Sequence, residues 1–295
     1  MKPTSMIFLV LALILVFGGF MTCNIAKSMA ASQNIPLYDQ EFDENGDAVY
    51  RYAIADDSVT KLNLVFSDID VTVIGGAPSS YVELKNFNVT SYRTTLSGGT
   101  VTVNGTASLT SSLIDMSGGG IRFRGLRYFL LKKPAENSVR SATVYISKDA
   151  MLQTVSLTLT NGKAFFSGIS NSIDYSVILT NADVLFDRVT TMSVANLNVT
   201  DGNVDMTSSR FVSVTANIKN GNFTLQGGNA IQNGTVSYDL SVADAGTIRY
   251  NGGAVGSSYK VTSAAPECLI KVNLQNGNID VSDGGDPVIA ELTDP

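Results

Sequence analysis

No histidine occurs in the 295 residues. That removes the commonest general base and the commonest metal ligand, and with them Ser-His-Asp and Cys-His catalysis of the usual kind. Charge is sparse: Asp, Glu, Lys and Arg make up 16% of the chain. Long stretches of Ala, Glu, Lys and Leu are missing, so no long amphipathic helix is expected. Basic excess is missing as well. The net charge of −6 disfavours nucleic acid, whose partners carry a strong positive excess. Only two cysteines are present, Cys23 and Cys268. They read as two unrelated thiols, and disulfides are not expected to stabilise this domain.

What the chain does have is Gly, Thr, Ser, Asn and Val in abundance, a mixture suited to short strands joined by tight turns. It also has one long apolar run. Met6 to Ile25 reads MIFLVLALILVFGGFMTCNI and holds no charge. Twenty helical residues span about 30 Å, the thickness of a bilayer core. A retained signal-anchor helix fits that length. A cleaved signal peptide fits the core Met6–Phe17 followed by Ser28-Met29-Ala30. A lipoprotein would need a small residue before Cys23, and Phe20-Met21-Thr22-Cys23 departs from that pattern. Each arrangement places the remaining chain outside the cytoplasm.

The strongest signal is an internal repeat. VSLTLTNGKAFFSGI from Val155, YSVILTNADVLFDRV from Tyr175, ANLNVTDGNVDMTSS from Ala195 and VTANIKNGNFTLQGG from Val214 align, and KVNLQNGNIDV from Lys271 adds a fifth copy. Each copy alternates apolar and polar residues, turns at Asn-Gly or a relative, and alternates again. The turn residues Asn161, Asn181, Asp201 and Asn220 lie 20, 20 and 19 positions apart. The apolar columns are Leu157, Val177, Leu197, Ala216; Leu159, Leu179, Val199, Ile218; Ala164, Val184, Val204, Phe223; and Phe166, Phe186, Met206, Leu225. Val272, Leu274, Ile279 and Val281 continue them, and Leu62, Leu64, Ile69 and Val71 form an earlier copy around Ser67.

Alternation puts each set on one face of a strand. One unit of 20 residues cannot bury that face alone, whereas coils stacked at the inter-strand spacing bury it as a column. Asn or Asp at the corner tolerates the positive φ a tight turn needs. Stacked in register, Asn161, Asn181 and Asn220 would form a hydrogen-bond ladder. Asn-Gly hairpins in a meander or sandwich explain the turns too, but not the constant spacing with matched columns. The expected fold is therefore all-β, a β-solenoid of stacked coils of about 20 residues, after one N-terminal transmembrane or signal helix.

The expected organisation is a hydrophobic segment over 1–25, an acidic connector over 26–58, the β-solenoid over 59–281 with an irregular insertion at 105–140, and a tail over 282–295. In the connector, Asp43-Glu44-Asn45-Gly46-Asp47 hints at a calcium loop, but Tyr52 stands where the twelfth position needs Glu. A solvated turn is the expectation.

These features resemble a known group, the bacterial putative adhesins built on a domain of unknown function. The resemblance covers about residues 59–281. It rests on Leu62-Asn63-Leu64 through Val73, on Ala142-Thr143-Val144-Tyr145-Ile146-Ser147-Lys148-Asp149, and on the repeated unit seen at Leu157-Thr158-Leu159-Thr160-Asn161-Gly162. It implies a β-solenoid head on an N-terminal membrane segment in a bacterial envelope, with no defined receptor and no catalytic residues. The stretch 105–140 departs from the group in being longer and more basic.

Chemistry is scarce. A solenoid lyase would align carboxylates on one face to hold calcium, with Lys or Arg as base. The position after the turn reads Lys163, Asp183, Asn203, Asn222, and two further on Phe165, Leu185, Asp205, Thr224. Neither column stacks carboxylates. Thr160, Thr180 and Thr200 stack, but Lys219 and Gln275 end the array. The segment Ile121–Pro134 packs Arg122, Arg124, Arg127, Lys132 and Lys133 among aromatic and aliphatic residues. It is a candidate patch for an anionic surface, set against a strand that buries its aromatics and leaves its charges in water.

The expected function is a non-enzymatic cell-envelope protein, an adhesin or structural scaffold. It would sit in the cell membrane by a single pass, or be secreted if the signal is cleaved, with its β domain extracytoplasmic. Its partners would be the membrane and a cell-wall, glycan or protein surface, with no cofactor, metal or nucleic acid. The alternatives are a polysaccharide-active enzyme on the same scaffold and an accessory protein of envelope-stress sensing.

Overall fold

The computed structural model describes residues 18, 19, 21, 41–44, 47–87, 92–105, 139–190, 193–227, 236–263 and 266–282. From residue 41 onward the described secondary structure is all-β. Gly18, Gly19 and Met21 are helical, and among the described residues no helix is long and apolar enough to cross a membrane. The rest of the segment 6–25, including Cys23, lies outside the described residues. So do Arg122, Arg124, Arg127, Lys132 and Lys133, most of the stretch 105–140, and the tail beyond Ser282.

The first strands are β1 (Glu41–Phe42), β2 (Ala48–Ala53), β3 (Lys61–Ser67), β4 (Asp70–Ala77), β5 (Tyr81–Lys85), β6 (Arg93–Ser97) and β7 (Thr100–Asn104). The repeat region follows as β8 (Ser141–Ser147), β9 (Thr154–Ser167), β10 (Asp174–Asp187), β11 (Val194–Thr200), β12 (Val204–Thr207), β13 (Ser213–Asn220) and β14 (Phe223–Gln226). The C-terminal part holds β15 (Val236–Ala245), β16 (Ile248–Tyr250), β17 (Gly253–Gly256), β18 (Ser258–Val261), β19 (Cys268–Asn276) and β20 (Ile279–Ser282).

The chain divides into two compact units. The smaller comprises residues 1–50, 85–91 and 107–139. In it β1 pairs antiparallel with the start of β2, Glu41 opposite Val49. Asn86, at φ 58°, organises this unit. Its amide oxygen accepts the Ala48 N–H at 3.1 Å and its Nδ2 donates to Asp47 Oδ1 at 2.8 Å and to the Val139 carbonyl at 2.9 Å. Asp43 Oδ1 accepts the Asp47 N–H, and Asp43 Oδ2 pairs with Lys85 Nζ at 2.8 Å. The carboxylates that hinted at a cation loop are thus engaged in holding a hairpin turn.

The larger unit comprises residues 51–84, 92–106 and 140–295. From β9 to β14 its strands pair in parallel with partners about one repeat away. Val155, Tyr175 and Ala195 are in register, as are Leu157, Val177 and Leu197, and Leu159, Leu179 and Val199. After the corner, Ala164, Val184, Val204 and Phe223 are partners, followed by Phe166, Phe186, Met206 and Leu225. All of these side chains are buried, most at 1% exposure or less. Each Val, Leu or Phe so removed from water contributes about 1.5–3 kcal/mol, and the same column supplies its neighbour above and below.

Order along the stack is not order along the chain. The last copy, β19–β20, lies directly against β13–β14, with Ala216 opposite Val272 and Phe223 opposite Ile279. Its other edge is covered by β15 and β16, which precede it in sequence. At the other end β3 sits between β7 and β9, and β4 between β8 and β9. The register of that early copy corrects the sequence alignment by two residues. Leu62 faces Val155 and Leu64 faces Leu157, while Phe66 takes the Leu159 position. After the corner Val71 and Val73, not Ile69 and Val71, meet Ala164 and Phe166. A shift of two leaves the inward face unchanged, so alternation alone does not select between the two alignments. The corner is Asp68 rather than Ser67.

The corners have two chemistries. At the first, Asp68, Asn161, Asn181 and Asp201 adopt φ between 53° and 60°, as their side chains tolerate. The following column holds Ile69 and Ala182 but is otherwise glycine, where the backbones approach too closely for a Cβ. A Cβ on Gly162 would overlap the Ile69 carbonyl oxygen, and one on Gly221 that of Gly202. At the second corner Gly168, Arg188, Ser208 and Gly227 have φ of 63°, 51°, 48° and 58°. The chain then closes along a short third side, where Thr190 N donates to the Ile169 carbonyl and Arg210 N to that of Val189. Phe166, Tyr175, Phe186 and Phe211 meet inside this turn with ring centroids 4.7–6.0 Å apart.

Antiparallel strands close the stack. β6 pairs with β7, β18 with β15 and β17 with β16. These terminal strands are five, four and four residues long. Short outer strands carrying Arg93 or Lys260, or flanked by glycine, leave little edge for another chain to pair with.

Candidate functional site

Because inward residues alternate with outward ones, the first long side of the larger unit presents polar columns to solvent. One runs through Asn198, Asn217, Asn273 and Ser241. Asn217 Nδ2 donates to Asn198 Oδ1 at 3.2 Å, Asn273 Nδ2 to Asn217 Oδ1 at 2.9 Å, and Ser241 Oγ to Asn273 Oδ1 at 3.2 Å. The three asparagines are exposed. Beside them run Thr200, Lys219, Gln275 and Ala243. Together these columns line a shallow open groove of about 480 Å³ over β11, β13, β19 and β15.

The groove lining contains one cation, Lys219, and no carboxylate. At the groove's margin Asp244 Oδ2 accepts from the lining residue Gln275 Nε2 at 2.8 Å. Two further ladders run along the corner. Asn161 donates to Asp68, Asn181 to Asn161, Asn220 to Asp201 and Asn276 to Asn220. The ladder expected from Asn161, Asn181 and Asn220 is therefore present in part, as two segments, Asp68–Asn161–Asn181 and Asp201–Asn220–Asn276, because Asp201 has no side-chain N–H to offer Asn181. In the next column each side-chain oxygen accepts the backbone N–H of the following unit. Asp183 takes Asn203 N at 2.9 Å, Asn203 takes Asn222 N at 3.0 Å, Asn222 takes Asn278 N at 3.0 Å and Asn278 takes Thr247 N at 3.1 Å.

Those bonds explain the post-corner column read above for catalytic carboxylates. Its acids and amides satisfy backbone donors at the corner. Two positions on, Asp205 faces Thr224 and Thr224 faces Asp280, which in turn faces Arg249, so the two acids are separated by a threonine. Thr160, Thr180 and Thr200 are in register as expected.

Among the described residues two titratable groups are strongly shifted, and both are interior. Burial pushes the Cys268 thiol up to about 12, and the nearby Arg210 pulls the other way. Burial raises the Tyr175 phenol well above its ordinary value, and its hydroxyl finds no hydrogen-bond partner. Neither faces the groove. The sequence reading missed the groove residues because Lys219 and Gln275 register only as interruptions of a threonine column. The signal that could have found them is the asparagine column, displaced from the threonines by two positions.

No known family profile matches the chain, and no curated protein does. Solved structures similar to it include a putative cell adhesion protein from Clostridium sporogenes, 11% identical, covering 80% of this chain and 99% of that one with a TM-score of 0.43. A putative adhesin from Bacteroides fragilis is 12% identical over 80% of this chain and 96% of its own, with a TM-score of 0.38. A putative lipid binding protein from Parabacteroides distasonis is 10% identical over 83% and 97%, with a TM-score of 0.26. Likenesses at this level carry no argument about what this chain binds.

Proposed function

We propose that the larger unit is a β-solenoid that presents a rigid polar surface on the outer side of a cell membrane, as a non-enzymatic adhesin or structural scaffold of the envelope. The observation that carries this reading is the in-register parallel pairing of β9 to β14 with β19 and β20. Such pairing buries one face of every strand in shared columns and commits the opposite face to solvent over the whole length of the stack. The acids along that surface are spent on corner N–H groups or separated by other residues, which favours binding over bond-breaking. The apolar run Met6–Ile25 supports attachment to, or export across, a membrane.

Protease shaving of intact cells, with mass spectrometry of the released peptides, tests the placement. Peptides from residues 59–281 should appear in the supernatant with lysis excluded. Protection of those residues while other surface proteins are clipped would overturn it in favour of a shielded scaffold or sensing role.

A further inference from the structure

We propose that the groove over β11, β13, β19 and β15 binds an acidic polysaccharide, a chain of carboxylate-bearing sugars laid across the strands. The proposal rests on the reading of this stack as an outward-facing binding surface and gives that surface a ligand class. Three features point to it. The lining holds Lys219 and no carboxylate in a chain of net charge −6, so the lining itself is cationic and complements an anion. Lys219 lies beside Thr200 and Gln275, and the carboxylate at the margin, Asp244, is engaged by Gln275 Nε2 at 2.8 Å.

The second feature is the asparagine ladder. A primary amide has two N–H donors and two acceptor lone pairs. Asn217 spends one donor on Asn198 and one acceptor on Asn273. The remaining donor and acceptor face outward, and the arrangement repeats at the strand spacing of about 4.8 Å. Because the ladder already holds these rotamers, little side-chain freedom is lost when hydroxyls bind. Thr200 and Gln275 add further donors beside Lys219.

Third, the lining is wrong for other polymers. It contains no aromatic ring on which a nucleobase could stack. It has no deep apolar pocket for the aromatic or arginine anchor on which protein interfaces depend. A hydroxylated chain with spaced carboxylates matches what remains.

The test uses the full-length protein in detergent, titrated at low salt with a short oligogalacturonate and, separately, with its methyl ester, which keeps the sugars and removes the charge. The acid form should bind saturably and weaken as salt is added. The methyl ester should bind about tenfold more weakly or worse. Lys219→Gln should lose about tenfold in affinity with an unchanged thermal transition, since its side chain is exposed. Asn217→Asp, which sets a carboxylate in the groove, should lose as much. Absence of saturable binding overturns the proposal. Equal binding of acid and ester, or full binding by Lys219→Gln, also overturns it, the latter placing the site elsewhere, as on Arg122 to Lys133. This result is independent of cell shaving: a domain exposed on cells that ignores oligogalacturonate defeats the ligand alone, and a protected domain defeats the placement alone.

Discussion

The regular stack from β9 to β14 and the C-terminal strands from β15 to β18 solve the same burial problem differently. In the stack, every inward side chain meets its counterpart from the neighbouring unit, and the interior is aliphatic with a cluster of phenyl rings at 0–1% exposure. The first corner is a column of asparagine and aspartate, Asp68, Asn161, Asn181 and Asp201. Between β15 and β18 nothing repeats. β15 and β16 continue the parallel pairing onto β19 and β20, and then the chain reverses so that β17 and β18 pair antiparallel. Its interior is closed by Tyr238, Tyr250 and Tyr259, with centroids 5.0–6.4 Å apart and exposures of 3–8%. A ring with an apolar body and a polar tip suits the last layer of a stack, where one side is dry and the other is reached by water. The repeating columns are thus apolar apart from Tyr175, whereas this terminus uses three amphipathic rings and a reversed strand.

The sharpest way to break that comparison is to substitute glycine on each side of it. Gly221→Ala puts a methyl group into the Gly202 carbonyl, and backbone at a stacked corner cannot yield without shifting its neighbours. It should cost about 4 kcal/mol or more. Gly252→Ala, at φ 82° with open space around it, should cost only about 1 kcal/mol from the left-handed backbone. Denaturant melts of the two variants measure the difference. Equal losses would mean that close approach does not govern the stacked corners.

The seam between the two regions gives a pH test. Cys268 is buried at the start of β19, opposite Val236 of β15. Its thiol is held well above its ordinary value of 9.0, at about 12. A raised value means that the stability contribution is complete below about pH 9 and is lost as pH rises through about 12. The loss should reach roughly 2–3 kcal/mol by about pH 11. Burial also raises the Tyr175 phenol, so its contribution too is lost on the alkaline side, and the measurement belongs in the Tyr175→Phe background. Cys268→Ala should flatten the alkaline limb; an unchanged limb refutes the assignment.

At neutral pH Tyr175→Phe should itself stabilise the stack by about 1 kcal/mol, because it removes a buried hydroxyl without a partner. A destabilised variant would show that the hydroxyl is satisfied in solution. Smaller still, Ser208→Gly relieves a non-glycine residue at φ 48° and should add about 0.5–1 kcal/mol. Asp201→Asn should restore a donor toward Asn181 and shift stability by a few tenths of a kcal/mol, measured as a change in thermal midpoint. A loss in either case would show that the native side chain makes contacts worth more than the strain or the missing bond.

Much of the stack was readable without coordinates. Leu157, Leu159, Ala164 and Phe166 fall into columns because alternation has a period of two and the unit repeats every 19 or 20 residues. Asn161 and Asn181 announce their corner because few other residues accept that φ. The second corner was not readable, since Arg188 and Ser208 occupy it as well as Gly168 and Gly227, and two of the four carry no turn signature. The two-residue register of Leu62 was hidden because either alignment buries the same face.

What the sequence alone determined is the class of interior: which side of each strand is dry, where the first corner falls, and which chemistries the absence of histidine removes. What only the tertiary structure decided is neighbourhood. β19 and β20 insert between strands that precede them in the chain, and that insertion sets Asn273 beside Asn217 and Gln275 beside Lys219, 56 residues away in sequence. Local preference acts over a few residues, but pairing between distant strands is chosen by the burial of whole columns, and so the groove exists only once the stack has closed.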